Sequence, residues 1–209
     1  MNIVMMGVQG SGKGTQSKLL AEKLHLPHVS TGDLFRDNLG RGTELGKRAK
    51  EFMDKGELVT DELVCDMVAD RLSQPDAAGG CILDGFPRSS FQLAALETMK
   101  PVEHAVLLEL DDEMALARLG GRSECGKCQI IYGANRPPKA AGACDECGGP
   151  LKVRGDDQDT EAIRKRIEMY HKEIDALVRF YDGKGVLHRV SAAGTVEEIQ
   201  AAVLAVLGR

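Results

Sequence analysis

The sequence predicts an α/β fold: a parallel five-stranded sheet packed between helices, carrying one small inserted subdomain. Three observations lead there. Short continuous apolar runs such as Asn2-Ile3-Val4-Met5-Met6 and Cys81-Ile82-Leu83 alternate with stretches whose apolar residues recur at helical spacing. The first run stops at a glycine-rich segment, Gly7 to Gly14, which opens directly into a helical pattern. Residues 122–155 break the alternation, being polar and rich in Gly, Pro and Cys. Strands alternating with helices imply parallel pairing and right-handed crossovers.

Each element has its own signal. Asn2 to Met6 reads as a buried strand, and Thr15 to His25 as a helix through Leu19, Leu20 and Leu24. Pro27-His28-Val29 is a brief strand, and Ser30-Thr31-Gly32-Asp33 is rich in helix-starting residues. Helices are expected over 34–39, 45–54 and 61–72. Gly79-Gly80 breaks the chain before a strand over 81–84 that ends in the carboxylate of Asp84. A strand over 102–110 and a helix over 112–119 lead to Gly120-Gly121. Beyond the insert, a charged amphipathic helix (161–181), a strand (186–190) and a closing helix (196–207) complete the chain. The division is therefore a core of residues 1–121 and 156–209 with an insert at 122–155.

Bulk properties narrow the function. At 209 residues and 22.5 kDa the chain suits one domain with room for a small insertion. Its 27 Lys and Arg against 32 Asp and Glu give a net charge of −5, without the basic field of a general nucleic-acid binder. Met1 to Met6 is too short for a signal peptide or a membrane span, and no other stretch approaches that length. The expected compartment is the cytosol, with no membrane partner. No helical face calls for a partner, which points to a monomer. Cys65 and Cys81, standing alone, read as buried small hydrophobes. The five histidines are scattered and read as surface or packing residues; Met5 and Met6 read as core.

The segment Gly7-Val8-Gln9-Gly10-Ser11-Gly12-Lys13 matches a phosphate-binding loop. Its glycines let backbone N–H groups converge on phosphate oxygens, the next helix N-terminus adds favourable partial charge, and Lys13 reaches the β- and γ-phosphates. The architecture then reads as a three-layer P-loop sandwich. One departure is Gly14, where the general motif has Ser or Thr; the hydroxyl comes one residue later, at Thr15. Two further segments, Ser30-Thr31-Gly32-Asp33-Leu34-Phe35-Arg36 and Asp84-Gly85-Phe86-Pro87-Arg88, follow predicted strands at the sheet edge where α/β proteins bind ligands. Asp84 there can hold Mg²⁺ or its waters, and Arg88 can clamp a phosphate with its planar fork.

Within the insert, Cys125-x2-Cys128 and Cys144-x2-Cys147 are separated by 15 residues. Two such pairs are the signature of a tetrahedral Cys₄ zinc site, closed and therefore structural; iron or cobalt would suit the same ligands.

Taken together, GxxGxGKGTQ, STGDLFR, GELVTDEL and DGFPRSxxQ, in this order and spacing, resemble the nucleoside monophosphate kinases, and among them the adenylate kinase family. The similarity runs essentially from Met1 to Leu207. It implies transfer of the γ-phosphate of ATP to AMP with Mg²⁺, giving ADP, under a mobile lid. The resemblance assigns the ATP phosphates to Gly10, Ser11, Gly12, Lys13, Gly14 and Thr15. Arg118 and Arg122 match the pair at the lid entrance, Ile131 and Tyr132 the lid backbone near ATP, and Gly194 a backbone contact with its base. For AMP it implies a segment over 30–60 and the residues Thr31, Arg36, Glu57, Leu58, Val59, Gly85, Phe86, Pro87, Arg88 and Gln92. Thr31 and Gln92 would read the adenine, while Arg36 and Arg88 would hold the phosphate. Asp84, with Asp33, would bind waters of the Mg²⁺ shell. Arg154 and Arg166 match the arginines that swing onto the transferring group, with Arg164 as the alternative to Arg166 because one extra residue precedes that cluster. Asp156-Asp157 matches the acidic pair that orients them. The Cys₄ insert resembles the zinc-type lid of some bacterial members. Ser123 and Gly133 depart from the pattern, in place of an arginine and a histidine common among relatives.

Other readings are a kinase for UMP, CMP or GMP, a zinc-ribbon binding module, and a P-loop regulator. Thr31 and Gln92 favour AMP. The cysteine pairs carry few basic residues and one aromatic, Tyr132, where a nucleic-acid module would offer stacking platforms. A regulator would leave the arginines beyond the loop without a purpose.

Overall fold

The computed structural model describes residues 1–54, 59–134, 136–153, 157 and 159–209. In chain order its elements begin with β1 (Asn2–Gly7), α1 (Lys13–Leu24), β2 (His28–Ser30), α2 (Thr31–Arg41), α3 (Glu44–Asp54) and α4 (Asp61–Leu72). A 3-10 turn at Pro75–Ala77 precedes β3 (Cys81–Asp84), α5 (Ser90–Met99), β4 (His104–Glu109) and α6 (Asp112–Gly120). The insert supplies β5 (Ser123–Cys125), β6 (Ile131–Tyr132) and β7 (Leu151–Val153), and the chain closes with α7 (Thr160–Gly183), β8 (Leu187–Ser191) and α8 (Val196–Val206).

The expected parallel five-stranded sheet is present, with strand order β2-β3-β1-β4-β8. Central strands of such a sheet are covered on both faces and must be apolar throughout. Accordingly Ile3, Val4, Ile82, Leu83, Ala105 and Val106 lose all solvent contact. The edge strands β2 and β8 bury fewer residues, which matches their more polar sequences.

The chain forms two compact units. The first comprises residues 1–6, 17–106 and 173–188. In it, Met5 and Ser30 stand opposite Asp84 in the registers of β1 and β2 against β3, so Asp84 and the start of α2 share the carboxyl edge of those strands. Cys65 and Cys81 are buried here as small hydrophobes. The second unit comprises residues 7–16, 107–172 and 189–209. Val8, Ala115, Leu119, Ile163 and Ile167 form its apolar cluster. Buried Gln16 ties α1 to the start of α8, its Nε2 donating to the Val196 carbonyl at 2.9 Å.

Element boundaries follow local capping. α2 begins at Thr31, three residues before the sequence expectation, because the Ser30 hydroxyl accepts the Asp33 N–H at 3.4 Å and so satisfies a free donor of the first turn. α8 opens on a reciprocal capping box between Thr195 and Glu198. α5 has no counterpart in the sequence reading: Phe91, Leu93, Ala94, Ala95 and Leu96 surround the helix, so no 3.6-residue period stands out. The insert folds as its own antiparallel sheet, β6-β5-β7.

Candidate active site and metal centre

The glycine-rich loop joins β1 to α1. Gly10 and Gly12 sit at φ 89° and 91°, in backbone space that side chains disfavour, and a Cβ on Gly10 would lie 2.9 Å from the Ala115 carbonyl oxygen. The Lys13 ammonium folds back over the loop, donating to the carbonyls of Gly7 (2.5 Å) and Val8 (2.9 Å). In the loop Gln9 Oε1 and Ser11 Oγ, and on α6 Arg118 Nη1, are buried polar atoms with no protein partner. Burial draws the Arg118 guanidinium below its ordinary pKa. Buried polar groups are normally paired, so such orphans beside a lysine suit a loop that takes an anionic ligand. Gly14 and Thr15 lie in the first turn of α1. Gly194 precedes the α8 cap; a Cβ there would meet Glu198 Oε2 at 2.7 Å.

Asp157 organises the arginines of this unit. Its side chain is fully buried and accepts a two-pronged contact from Arg122, Nε to Oδ2 at 2.6 Å and Nη2 to Oδ1 at 2.8 Å. Arg166 Nη1 adds a third contact at 3.4 Å. Arg164 is exposed, whereas Arg166 is half-buried and turned to this carboxylate. Arg154, with Gly155 and Asp156, lies outside the described residues, as do Glu57 and Leu58 of the AMP segment.

In the first unit two assigned side chains meet at the Gly85 carbonyl. Thr31 Oγ1 donates to it at 3.0 Å and Arg88 Nε at 2.8 Å. Phe86 is buried and joined to Pro87 through a cis peptide. The Gln92 amide is held at both ends: its oxygen accepts the Arg88 N–H at 2.8 Å and its nitrogen donates to Asp61 Oδ1 at 2.6 Å. An amide has two N–H donors and two carbonyl lone pairs, so one of each remains beyond these contacts. Asp61, which the sequence reading passed over as a helix starter, also receives the Ser89 hydroxyl at 2.6 Å. Its place inside GELVTDEL was the available signal. Arg36 Nη2 pairs with Asp33 Oδ1 at 2.5 Å, and Asp84 Oδ2 stands 3.5 Å from His28 Nε2. Val59 is half-buried ahead of α4.

The insert brings its four cysteines together. All four Sγ atoms lie within 4.8 Å of one another, with Cys125–Cys147, Cys128–Cys144 and Cys128–Cys147 each at 3.4 Å. Disulfide sulfurs sit about 2.05 Å apart, and four thiolates around zinc at 2.3 Å would be about 3.8 Å apart. The spacing therefore suits a tetrahedral ion. Gly149 permits it, since a Cβ there would fall 2.9 Å from Cys125 Sγ. The Tyr132 hydroxyl draws the Cys144 thiol down to about 6, and thiolates are the metal-binding form. Tyr132 itself is wholly buried inside the insert, while Ile131 is half-buried.

Comparison with known proteins decides the family. The family model described as adenylate kinase matches residues 5–186. The chain belongs to the adenylate kinase family. It is 43% identical over 214 residues to an adenylate kinase of Lachnospira eligens, covering all of both chains. It is 44% identical to one of Streptomyces coelicolor over 216 residues, covering 100% of this chain and 99% of that one. An adenylate kinase of Methanothrix thermoacetophila is 43% identical over 208 residues, with 95% and 94% covered.

Two outcomes follow from this geometry. Asp157→Ala leaves the Arg122 charge poorly compensated in a buried setting and should cost about 3–5 kcal/mol, read as a lowered urea midpoint; an unchanged midpoint would remove Asp157 from the structural role. Burial pushes the Cys65 thiol up to about 11 and Cys81 upward too. At pH 8 only about one Cys65 in a thousand is then thiolate. Iodoacetamide should label the insert cysteines of metal-stripped protein well before these two, as followed by peptide mass spectrometry.

Proposed function

We propose that the chain catalyses reversible, Mg²⁺-dependent transfer of the γ-phosphate of ATP to AMP, forming two ADP and balancing the adenine nucleotides. Family membership along the whole chain carries this reading. The phosphate loop, with its unpartnered buried polar atoms beside Lys13, supports it most directly.

Phosphoryl transfer needs little covalent chemistry from a protein; positioning and charge stabilisation supply most of the rate. Backbone N–H groups from Gly10 to Thr15 and the Lys13 ammonium hold the ATP phosphates. Lys13 reaches them by exchanging its loop carbonyls for phosphate oxygens. Arg118 and Arg122 flank the nucleotide, Ile131 and Tyr132 offer it lid backbone, and Gly194 meets the base. For AMP, Thr31, the 57–59 segment and Gln92 receive the adenine, while Arg36 and Arg88 take the phosphate against the Gly85–Pro87 turn. Arg154 and Arg166 stabilise the charge of the transferring group. Asp84 holds waters of the metal shell. Mg²⁺ held there would supply positive charge that offsets the phosphates.

The working division is a core of 1–121 and 156–209, an AMP-binding segment over 30–60, and a lid over 122–155 held by structural zinc. The protein acts as a cytoplasmic monomer, without nucleic-acid or membrane partners. None of the helices, among the described residues, is long and apolar enough to cross a membrane.

With Mg-ATP as donor, AMP should be the strongly preferred acceptor in a coupled assay of ADP formation. Higher kcat/KM with UMP, CMP or GMP would overturn the adenine pocket, and Arg88→Ala with near-native turnover would remove that residue. Stripping the zinc should lower the thermal midpoint, because residues 122–155 hold too little apolar surface to offset their ordering entropy alone. The parallel-sheet core should stay folded and retain some activity at low temperature. An unchanged melting curve would contradict a structural metal.

A further inference from the structure

Tyr132 sits in β6, on the hairpin that carries Cys125 and Cys128, yet its side chain reaches the opposite cysteine pair. Its hydroxyl lies 3.4 Å from Cys144 Sγ and 2.8 Å from the Asp145 nitrogen. The direction of both bonds follows from the donor inventory. The Asp145 N–H can only donate, so it occupies a lone pair of the tyrosine oxygen. The single hydroxyl proton is left to point at sulfur, and a thiolate can only accept it. The ring is wholly buried, and the Arg136 guanidinium lies 5.6 Å from its centroid while also reaching Glu146 at 3.3 Å. Ring and hydroxyl are thus both fastened to the Cys144-Asp145-Glu146 turn.

We propose that Tyr132 is a positioning residue of the metal centre, donating its hydroxyl proton to the Cys144 thiolate and holding that sulfur at its ligand position. This rests on the reading of the four cysteines as a metal site. Four thiolates around a divalent cation leave two negative charges in excess, and donors to sulfur offset them. Cys125 has a backbone donor in the Lys127 N–H at 3.4 Å. Cys144 receives a side-chain donor, which substitution can remove without touching a ligand. Because the hydroxyl crosses from one cysteine pair to the other, it also fixes the two halves of the site against each other. Partners of this kind commonly raise metal affinity about 10–100-fold.

The test uses the full chain, reduced and metal-stripped, titrated with Zn²⁺ or Co²⁺ against a chromophoric chelator. Native protein should bind one equivalent; failure to do so would overturn the metal reading and this inference with it. Tyr132→Phe keeps the ring and loses the proton. It should bind both ions about 10–100-fold more weakly and shift the sulfur-to-cobalt charge-transfer band. Affinity within about twofold of native with an unmoved band, in protein that still binds one equivalent, would overturn the inference alone. In a Cys144→Ser background the same substitution should cost little more, since its partner is gone; an undiminished loss there would show that the hydroxyl acts through the Asp145 N–H instead and would overturn the assignment. Should Tyr132→Phe fail to fold, native protein loaded with ¹¹³Cd decides. A tyrosine hydroxyl proton coupled to cadmium through sulfur supports the assignment, and a cadmium site with no such coupling at low temperature refutes it.

Discussion

One fully buried carboxylate, Asp157, meets the guanidinium groups of both Arg122 and Arg166. The pairing answers a constraint on any protein that must collect phosphates: its cations have to be close together before a ligand neutralises them, and like charges in a shielded setting repel. A single carboxylate between two arginines lowers that cost and fixes where the forks point. The same device recurs with different acceptors. Lys13 rests on the carbonyls of Gly7 and Val8, Arg88 on the carbonyl of Gly85, and Arg36 on Asp33. An acidic chain of net charge −5 thus gives each of these cations a protein oxygen to rest on.

The insert solves a different problem. Its sheet is small and its apolar cluster consists of Cys125, Tyr132 and Cys144 with Ile130 and Leu151 packed on them. That is too little burial to order some thirty residues unaided. Four sulfurs converge where burial runs short, and the insert's one aromatic residue is spent on the sulfur cluster rather than on a surface. The insert is thus held together for reasons separate from the parallel-sheet core.

Much of this was legible in the chain. Central strands announce themselves as continuous apolar runs because both faces are covered, and the cysteine pairs announce a four-sulfur cluster by spacing alone. The phosphate loop is equally plain, since φ near 90° at Gly10 and Gly12 leaves glycine as the favoured residue. What escaped the reading had no periodic or chemical signature of its own. Helix α5 is apolar on most sides, and α2 starts early because one hydroxyl, Ser30, caps it. Asp61 resembles any acidic residue in a first helical turn. Only its contacts with Ser89 and Gln92, about thirty residues away, reveal that it holds the amide proposed to read the base.

The sequence by itself determined the α/β class, the family, the phosphate loop and the cluster of four cysteines, because each depends on residue type at short, fixed spacing. Tertiary structure decided which partner each polar side chain takes. Arg166 rather than Arg164 turns to Asp157, Gln92 is clamped at both ends, and the Tyr132 hydroxyl crosses the insert to Cys144. Those choices join residues 4 to 31 positions apart, and the directional geometry of hydrogen bonds is set only once the elements have packed.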